Sequence, residues 1–292
     1  MLRERLGRER LILDGGMGTM LQKHGLDLRK ELPETWNMTH SEVLTGIHQA
    51  YIEAGSDIIL TNTFGGNPLK YKGPNYSLEE MIGQSVHNAK EAVKRSGREV
   101  YVFLDAGPTG QLIEPYGDLT LEEVDASYQE MVRVGLSAGV DGIMFETFMD
   151  LREIEVAIEA AKKACQSHPN LPIFATMTFT EHGKLLFGGS AKEVVQRLEG
   201  LGVDAIGANC GAGPAQMHPM VQEMKANTTL PIILKPNAGM PKVKDGETYY
   251  DVEPEEFALV MKEMIQDGAS IIGGCCGTTP EHIRKMTEVL KD

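Results

Sequence analysis

Cys275 and Cys276 stand side by side in IIGGCCGTTPEH (271–282), and a third cysteine, Cys210, closes the earlier stretch DAIGANCG (204–211). Three thiolates can hold a Zn²⁺ ion strongly and still leave one tetrahedral position for an outside group. Neighbouring side chains of an extended strand point to opposite faces. The two adjacent sulfurs can therefore meet at one ion only if the backbone turns there, and Gly273, Gly274 and Gly277 permit unusual φ and ψ. The bland alternative is three small buried cysteines packing one rim of the fold. Cys165, in the helical stretch AIEAAKKACQ, reads as an ordinary core cysteine. A zinc ion with three thiolates carries net negative charge and polarises carbonyls poorly. It can still stabilise a fourth thiol as thiolate, so the set suits alkyl transfer to sulfur better than hydrolysis.

Other polar residues stand at the ends of apolar runs: Asp14, Asn62, Asp105, Glu146, Thr178 and Asn237. A carboxylate atop an apolar strand is costly to bury without a partner. A cationic group on a ligand would satisfy Asp14 and Glu146; so would helix capping or the amides of neighbouring glycines.

Eight elements must position these residues. The apolar runs cover 10–16, 57–64, 100–107, 141–148, 172–179, 204–211, 231–239 and 270–277. Amphipathic stretches such as SEVLTGIHQAYIEAG and AKEVVQRLEGLG separate them and close in glycine, as helix C-termini do. Near-continuous apolar strands alternating with helices predict a parallel sheet. Eight repeats predict a single (β/α)₈ TIM barrel spanning 1–292, with an open doubly wound sheet as the alternative. In a barrel every polar residue named above lies at the C-terminal mouth, and β-strands six and eight bring Cys210 towards the 275–276 pair. The stretch from Leu21 to His40 reads as an irregular connection and a candidate lid. Its Trp36 is either a packing anchor or a wall of the substrate site.

Composition narrows the partners. The chain has 292 residues, 41% of them hydrophobic and 24% charged, with a net charge of −14. That acidic balance argues against nucleic acid and anionic membrane surfaces. MLRERLGRER reads as neither a signal nor a transit peptide, and no apolar run has the length of a membrane span. A cytoplasmic location is expected, where four cysteines do not form a disulfide framework.

The ordered set DGGMGT (14–19), EAGSDIILTNTFGGN (53–67), GPTG (107–110), DGIMFET (141–147), NCG (209–211), PNAG (236–239) and GGCCGTTPEHI (273–283) resembles the zinc-dependent homocysteine S-methyltransferase family. The likeness is greatest to the homocysteine-binding barrel of cobalamin-dependent methionine synthase, and it runs from about Leu11 to Leu290. It implies Cys210, Cys275 and Cys276 as zinc ligands, with Asn237 in the fourth position before substrate arrives. It implies Asp14 and Glu146 as contacts of the substrate amino group, near the backbone at Gly15 and Thr63. It implies methionine as product. No D-x-H-x-x-G cobalamin motif is present, so a methyl-corrinoid carried by another chain is the expected donor; S-methylmethionine, S-adenosylmethionine or a betaine are the alternatives. Lys235 departs from the family's expected pattern.

Two other readings compete. Lys235 could be the Schiff-base lysine of an aldolase-type barrel, with GGCCGTT holding a phosphate, or could point to solvent beside Pro236. The chain could also be a non-catalytic module that only presents a zinc-bound thiolate.

Overall fold

In the computed structural model, which describes residues 2–73, 75–180, 182–244 and 247–291, all eight apolar runs contain strands. They are β1 (Leu11–Ile12), β2 (Ile58–Leu60), β3 (Tyr101–Ala106), β4 (Gly142–Phe148), β5 (Ile173–Met177), β6 (Ala205–Asn209), β7 (Ile232–Lys235) and β8 (Ala269–Ile272). Each pairs in parallel with its sequence neighbours from β2 to β8. The ring closes where β8 meets β1 through Leu11–Ile271 and Ile12–Ile272, and where Leu13 bridges Ile58. The expected (β/α)₈ barrel forms, and the open sheet does not. The strands are shorter than the apolar runs because the last residues of each run leave the ladder and turn into the mouth.

Alternation along the strands makes two cores. Leu11, Leu13, Ile58, Leu60, Phe103, Met144, Phe174 and Ile233 fill the barrel interior. Ile12 and Ile59, on the opposite faces of the same strands, pack outward beneath the helices. The acid-bearing N-terminus supplies the floor. Helix Leu2–Arg5 buries Leu2 against the interior cluster, while Arg3 and Arg5 pair with Asp204 and Asp57, each just ahead of a strand.

The helices start and stop where local chemistry dictates. Leu78–Ser96 and Leu121–Ala138 each begin in a capping box, Ser77 with Glu80 and Thr120 with Glu123. Helix Ser41–Ala54 ends at Gly55 in the left-handed region.

The Leu21–His40 connection is more ordered than expected, holding a 3₁₀ turn (Pro33–Thr35) and a short helix (Trp36–Thr39). Trp36 is buried, stacks on His40 with ring centroids 3.9 Å apart, and donates its indole N–H to Glu31. It is a packing anchor. Asn62 donates to the Pro33 carbonyl and accepts, through its own carbonyl, from Asn37, which fastens the connection to the tip of β2. An antiparallel pair, Lys242–Lys244 with Glu247–Tyr249, was not legible as strands in the sequence. Among the described residues no helix is long and apolar enough to cross a membrane.

Phe103 ties the interior together: it is fully buried, lies 4.9 Å from the Phe174 ring, and occupies the space beside Gly142. Phe103→Ala is expected to cost about 3–5 kcal/mol in reversible denaturation while the folded fraction keeps its metal-binding capacity.

Candidate metal centre and substrate site

The sulfurs of Cys210, Cys275 and Cys276 all lie within 4.8 Å of one another. A tetrahedral ion at ordinary Zn–S distances needs sulfurs about 3.8 Å apart, so small side-chain shifts complete the set. Cys165 is buried elsewhere in the outer core.

The local backbone explains the convergence. After β8, Gly273 accepts no side chain because a Cβ there would lie 2.7 Å from the Asp14 carbonyl and the Leu13 side chain. Gly274 donates its amide to the Asp14 carbonyl, and Cys275 donates to Pro236, so the chain is held between β1 and β7. Cys276 then accepts from Ala238 through its carbonyl, and Gly277 turns the chain at φ +82°. The flanking glycines thus act mainly by permitting close approach; only Gly277 of the three is left-handed. The unusual backbone falls on Cys210 itself, at φ +58°. Its amide donates to the Lys235 carbonyl and its own carbonyl accepts from Ala212.

Without a cation the thiols stay protonated. For Cys210 the hydrogen bond with Cys275 lowers the pKa, but that with Cys276 and burial push it up, to about 11. Cys276 is pulled down by its bond to Cys210, yet its bond to Cys275 and burial raise it to about 12. A divalent cation reverses this balance. Two further atoms fit such a guest. Asn237 Oδ1 is buried without a partner, and Asn209 Nδ2 donates to Cys275 Sγ at 3.7 Å.

Asn209 is the functional residue that the sequence reading missed, although it is the first residue of the quoted NCG. Its Oδ1 accepts from the Thr147 amide and the Thr176 hydroxyl, and its Nδ2 also donates to Thr147 Oγ1 at 2.7 Å. Thr147 is held at φ +68°, where a β-branched residue is strained. The β4–β5 register slips by one residue between Phe145 and Phe148. This bulge re-aims Glu146.

Glu146 does not stand free. Lys235, only 2% exposed, places Nζ 2.5 Å from Glu146 Oε2. Burial alone would lower the Lys235 pKa, but Glu146 and then Asp14 outweigh it and raise it. Lys235 therefore neither points to solvent nor has the lowered pKa of a Schiff-base nucleophile; both expectations fail because a buried ammonium persists only where carboxylates surround it.

Asp14, 2% exposed, accepts the Leu60 amide on Oδ2, while its Oδ1 has no partner. Burial pushes its pKa up to about 7 against the opposing pull of Lys235. Gly15 follows it, wedged against Thr278 and Tyr51. Thr63 is buried; its amide donates to Thr61 and its hydroxyl to the Asp105 carbonyl. Asp105 is likewise buried with Oδ1 unpartnered. Thr178 lies outside this group and donates to the Asn209 carbonyl.

The sequence matches the family described as Homocysteine S-methyltransferase over residues 11–290. It is 33% identical to the methionine synthase of Mycobacterium leprae across 98% of this chain, and 32% identical to that of Mycobacterium tuberculosis across 96%. It spans 24% of the length of each. The metallated form of the homocysteine methyltransferase MmuM from Escherichia coli shares the fold, with a TM-score of 0.77 at 24% identity and 96% of both chains covered.

Two outcomes are expected. Gly273→Ala should sharply reduce zinc content, measured by atomic absorption on folded protein, whereas Gly18→Ala, with open space around its Cβ, should leave it intact. Because the thiols are protonated at neutral pH, loading should release about three protons per zinc, and affinity measured by chelator competition should fall about a thousandfold per unit drop in pH.

Proposed function

We propose that this chain, which belongs to the homocysteine S-methyltransferase family, methylates the thiol of homocysteine to give methionine at the mouth of the barrel. The observation that carries the reading is the convergence of three cysteine sulfurs beside a buried carboxylate cluster. Cys210, Cys275 and Cys276 are the proposed ligands of a zinc ion, and Asn237 Oδ1 is the proposed ligand in the remaining position when substrate is absent. When bound, zinc supplies the means to keep the acceptor sulfur ionised at neutral pH, where a free thiol is mostly protonated.

The chain's own residues do the rest. Asn209 keeps a hydrogen bond on Cys275, orienting that sulfur. Asp14 and Glu146, the latter paired with Lys235, belong to the carboxylate cluster that receives the substrate amino group, and Gly15 and Thr63 border the amino-acid end of the substrate. Holding the sulfur still relative to an incoming methyl group removes orientational freedom ahead of the displacement. In that displacement a sulfur lone pair forms the new S–C bond, and the donor keeps the electrons of the bond that breaks.

A methyl-corrinoid on another chain is the proposed donor. Support comes from the TNTF and GPTG stretches and from the similarity to mycobacterial methionine synthases. The protein is also proposed to work in the cytoplasm.

A donor screen tests the assignment. Zinc-loaded protein and homocysteine are incubated with methylcobalamin, S-methylmethionine, S-adenosylmethionine or a betaine, and methionine is read by mass spectrometry. Turnover with methylcobalamin is expected. A preference for a small donor would reassign the methyl source, and no methionine from any free or protein-bound donor would leave only a thiolate-presenting module. Cys210→Ser, Cys275→Ser and Cys276→Ser should each lose stoichiometric zinc and activity while circular dichroism stays that of the folded barrel.

A further inference from the structure

Three carboxylates meet at the mouth, from β1, β3 and β4, and a single buried ammonium stands among them. Lys235 is committed to Glu146 Oε2 at 2.5 Å. Two acceptor atoms of the cluster, Asp14 Oδ1 and Asp105 Oδ1, are fully buried without a hydrogen-bond partner. Asp14 is 2% exposed and Asp105 8%. They flank the tip of β2: Asp14 is fixed by the Leu60 amide, and Asp105 by the Thr61 hydroxyl, which accepts from its amide at 3.0 Å. Groups this deeply buried are normally satisfied, and an ionised carboxylate in such a place needs a cation.

We infer that the ammonium of the acceptor thiol is held by Asp14 Oδ1 and Asp105 Oδ1, and that Lys235 keeps Glu146 out of direct contact with it. The inference deepens the homocysteine reading above and rests on it. Asp105 thereby becomes a specificity-determining residue for an α-amino thiol, and Lys235 a positioning residue that decides which carboxylates remain available. The charge balance of the cluster agrees. With Lys235 present and no guest, burial and then Glu146 hold the Asp105 carboxyl well above the usual carboxylate range, and Asp14 is also raised. Three carboxylates against one ammonium leave the empty cluster with a surplus of negative charge, which a guest ammonium reduces.

Calorimetry on zinc-loaded protein tests it, comparing homocysteine with 4-mercaptobutanoate, which keeps the thiol and carboxylate and lacks the amine. Wild type should prefer homocysteine. Asp105→Asn, with its zinc content and fold verified, should cut that preference about ten- to hundredfold, the worth of a charge-assisted hydrogen bond, through weaker homocysteine binding alone. Lys235→Met frees Glu146 and should preserve or increase the preference; Asp105→Asn combined with Lys235→Met should restore it to within a few-fold of wild type. An Asp105→Asn protein with undiminished preference overturns the assignment, as does a Lys235→Met protein that loses the preference. Should Asp105→Asn fail to fold, the Lys235→Met result still decides. Wild type that binds both thiols equally sinks the inference alone, whereas wild type that binds neither removes the homocysteine reading beneath it.

Discussion

Two backbone hydrogen bonds, from Gly274 to Asp14 and from Cys275 to Pro236, fasten the segment after β8 between the ends of β1 and β7. The mouth is built around that clamp. It brings two sulfurs up against the tip of β6, where Cys210 waits in a left-handed turn. Thr278 extends it by accepting the Gly16 amide on its hydroxyl and donating that hydroxyl to the Cys275 carbonyl. The approach is so close that Gly16, Gly273 and Gly274 have no room for a Cβ. Steric exclusion at these glycines, more than conformational freedom, lets two neighbouring cysteines serve one point in space.

Strain is concentrated where chemistry is expected. Among the described residues, Thr147 and Cys210 are the non-glycine residues with positive φ. Thr147 follows the bulged Glu146, and Cys210 is one corner of the sulfur triangle. Such conformations cost of order 1–3 kcal/mol each and persist only where the surroundings over-determine them. Asn209 is the surrounding group at both places. It immediately precedes Cys210, bonds Thr147 at two atoms and donates to Cys275 Sγ. One amide side chain therefore joins the geometry of the carboxylate cluster to that of the sulfurs, so neither half of the mouth can shift without disturbing the other.

The strand count and the sulfur triad were legible because they depend on period and residue type, which a sequence displays directly. Alternation and the eightfold recurrence dictate a barrel; a barrel puts strand ends together; cysteines at two strand ends then share a neighbourhood. What stayed hidden depends on pairing across distant elements. Nothing local to KPNAG reveals that Lys235 reaches Glu146, eighty-nine positions away. Nothing local to FETF reveals the bulge, because a register slip belongs to two strands and not to one. Trp36 was undecided because a buried indole and an exposed wall have the same spelling; only its stacking on His40 separates them.

The buried lysine deserves a physical reason beyond neutralising an acid. Asp14, Asp105 and Glu146 crowd a region walled by apolar strands, and like charges in low dielectric repel strongly. Without an internal cation, at least one of the three would take up a proton, as carboxylates sharing a site do. A protonated acid offers an arriving ammonium less than an anion does, and without Lys235 any one of the three could be the acid that carries the proton. Lys235 removes the repulsion due to Glu146 without consuming the other two carboxylates, since its Nζ sits on Oε2 of Glu146 and not on Oδ1 of Asp14 or Asp105. The ion pair is costly to bury and is weak evidence of stabilisation. Its effect lies in the arrangement it leaves behind, two buried acceptor atoms without a hydrogen-bond partner and a surplus of negative charge for a guest ammonium to offset.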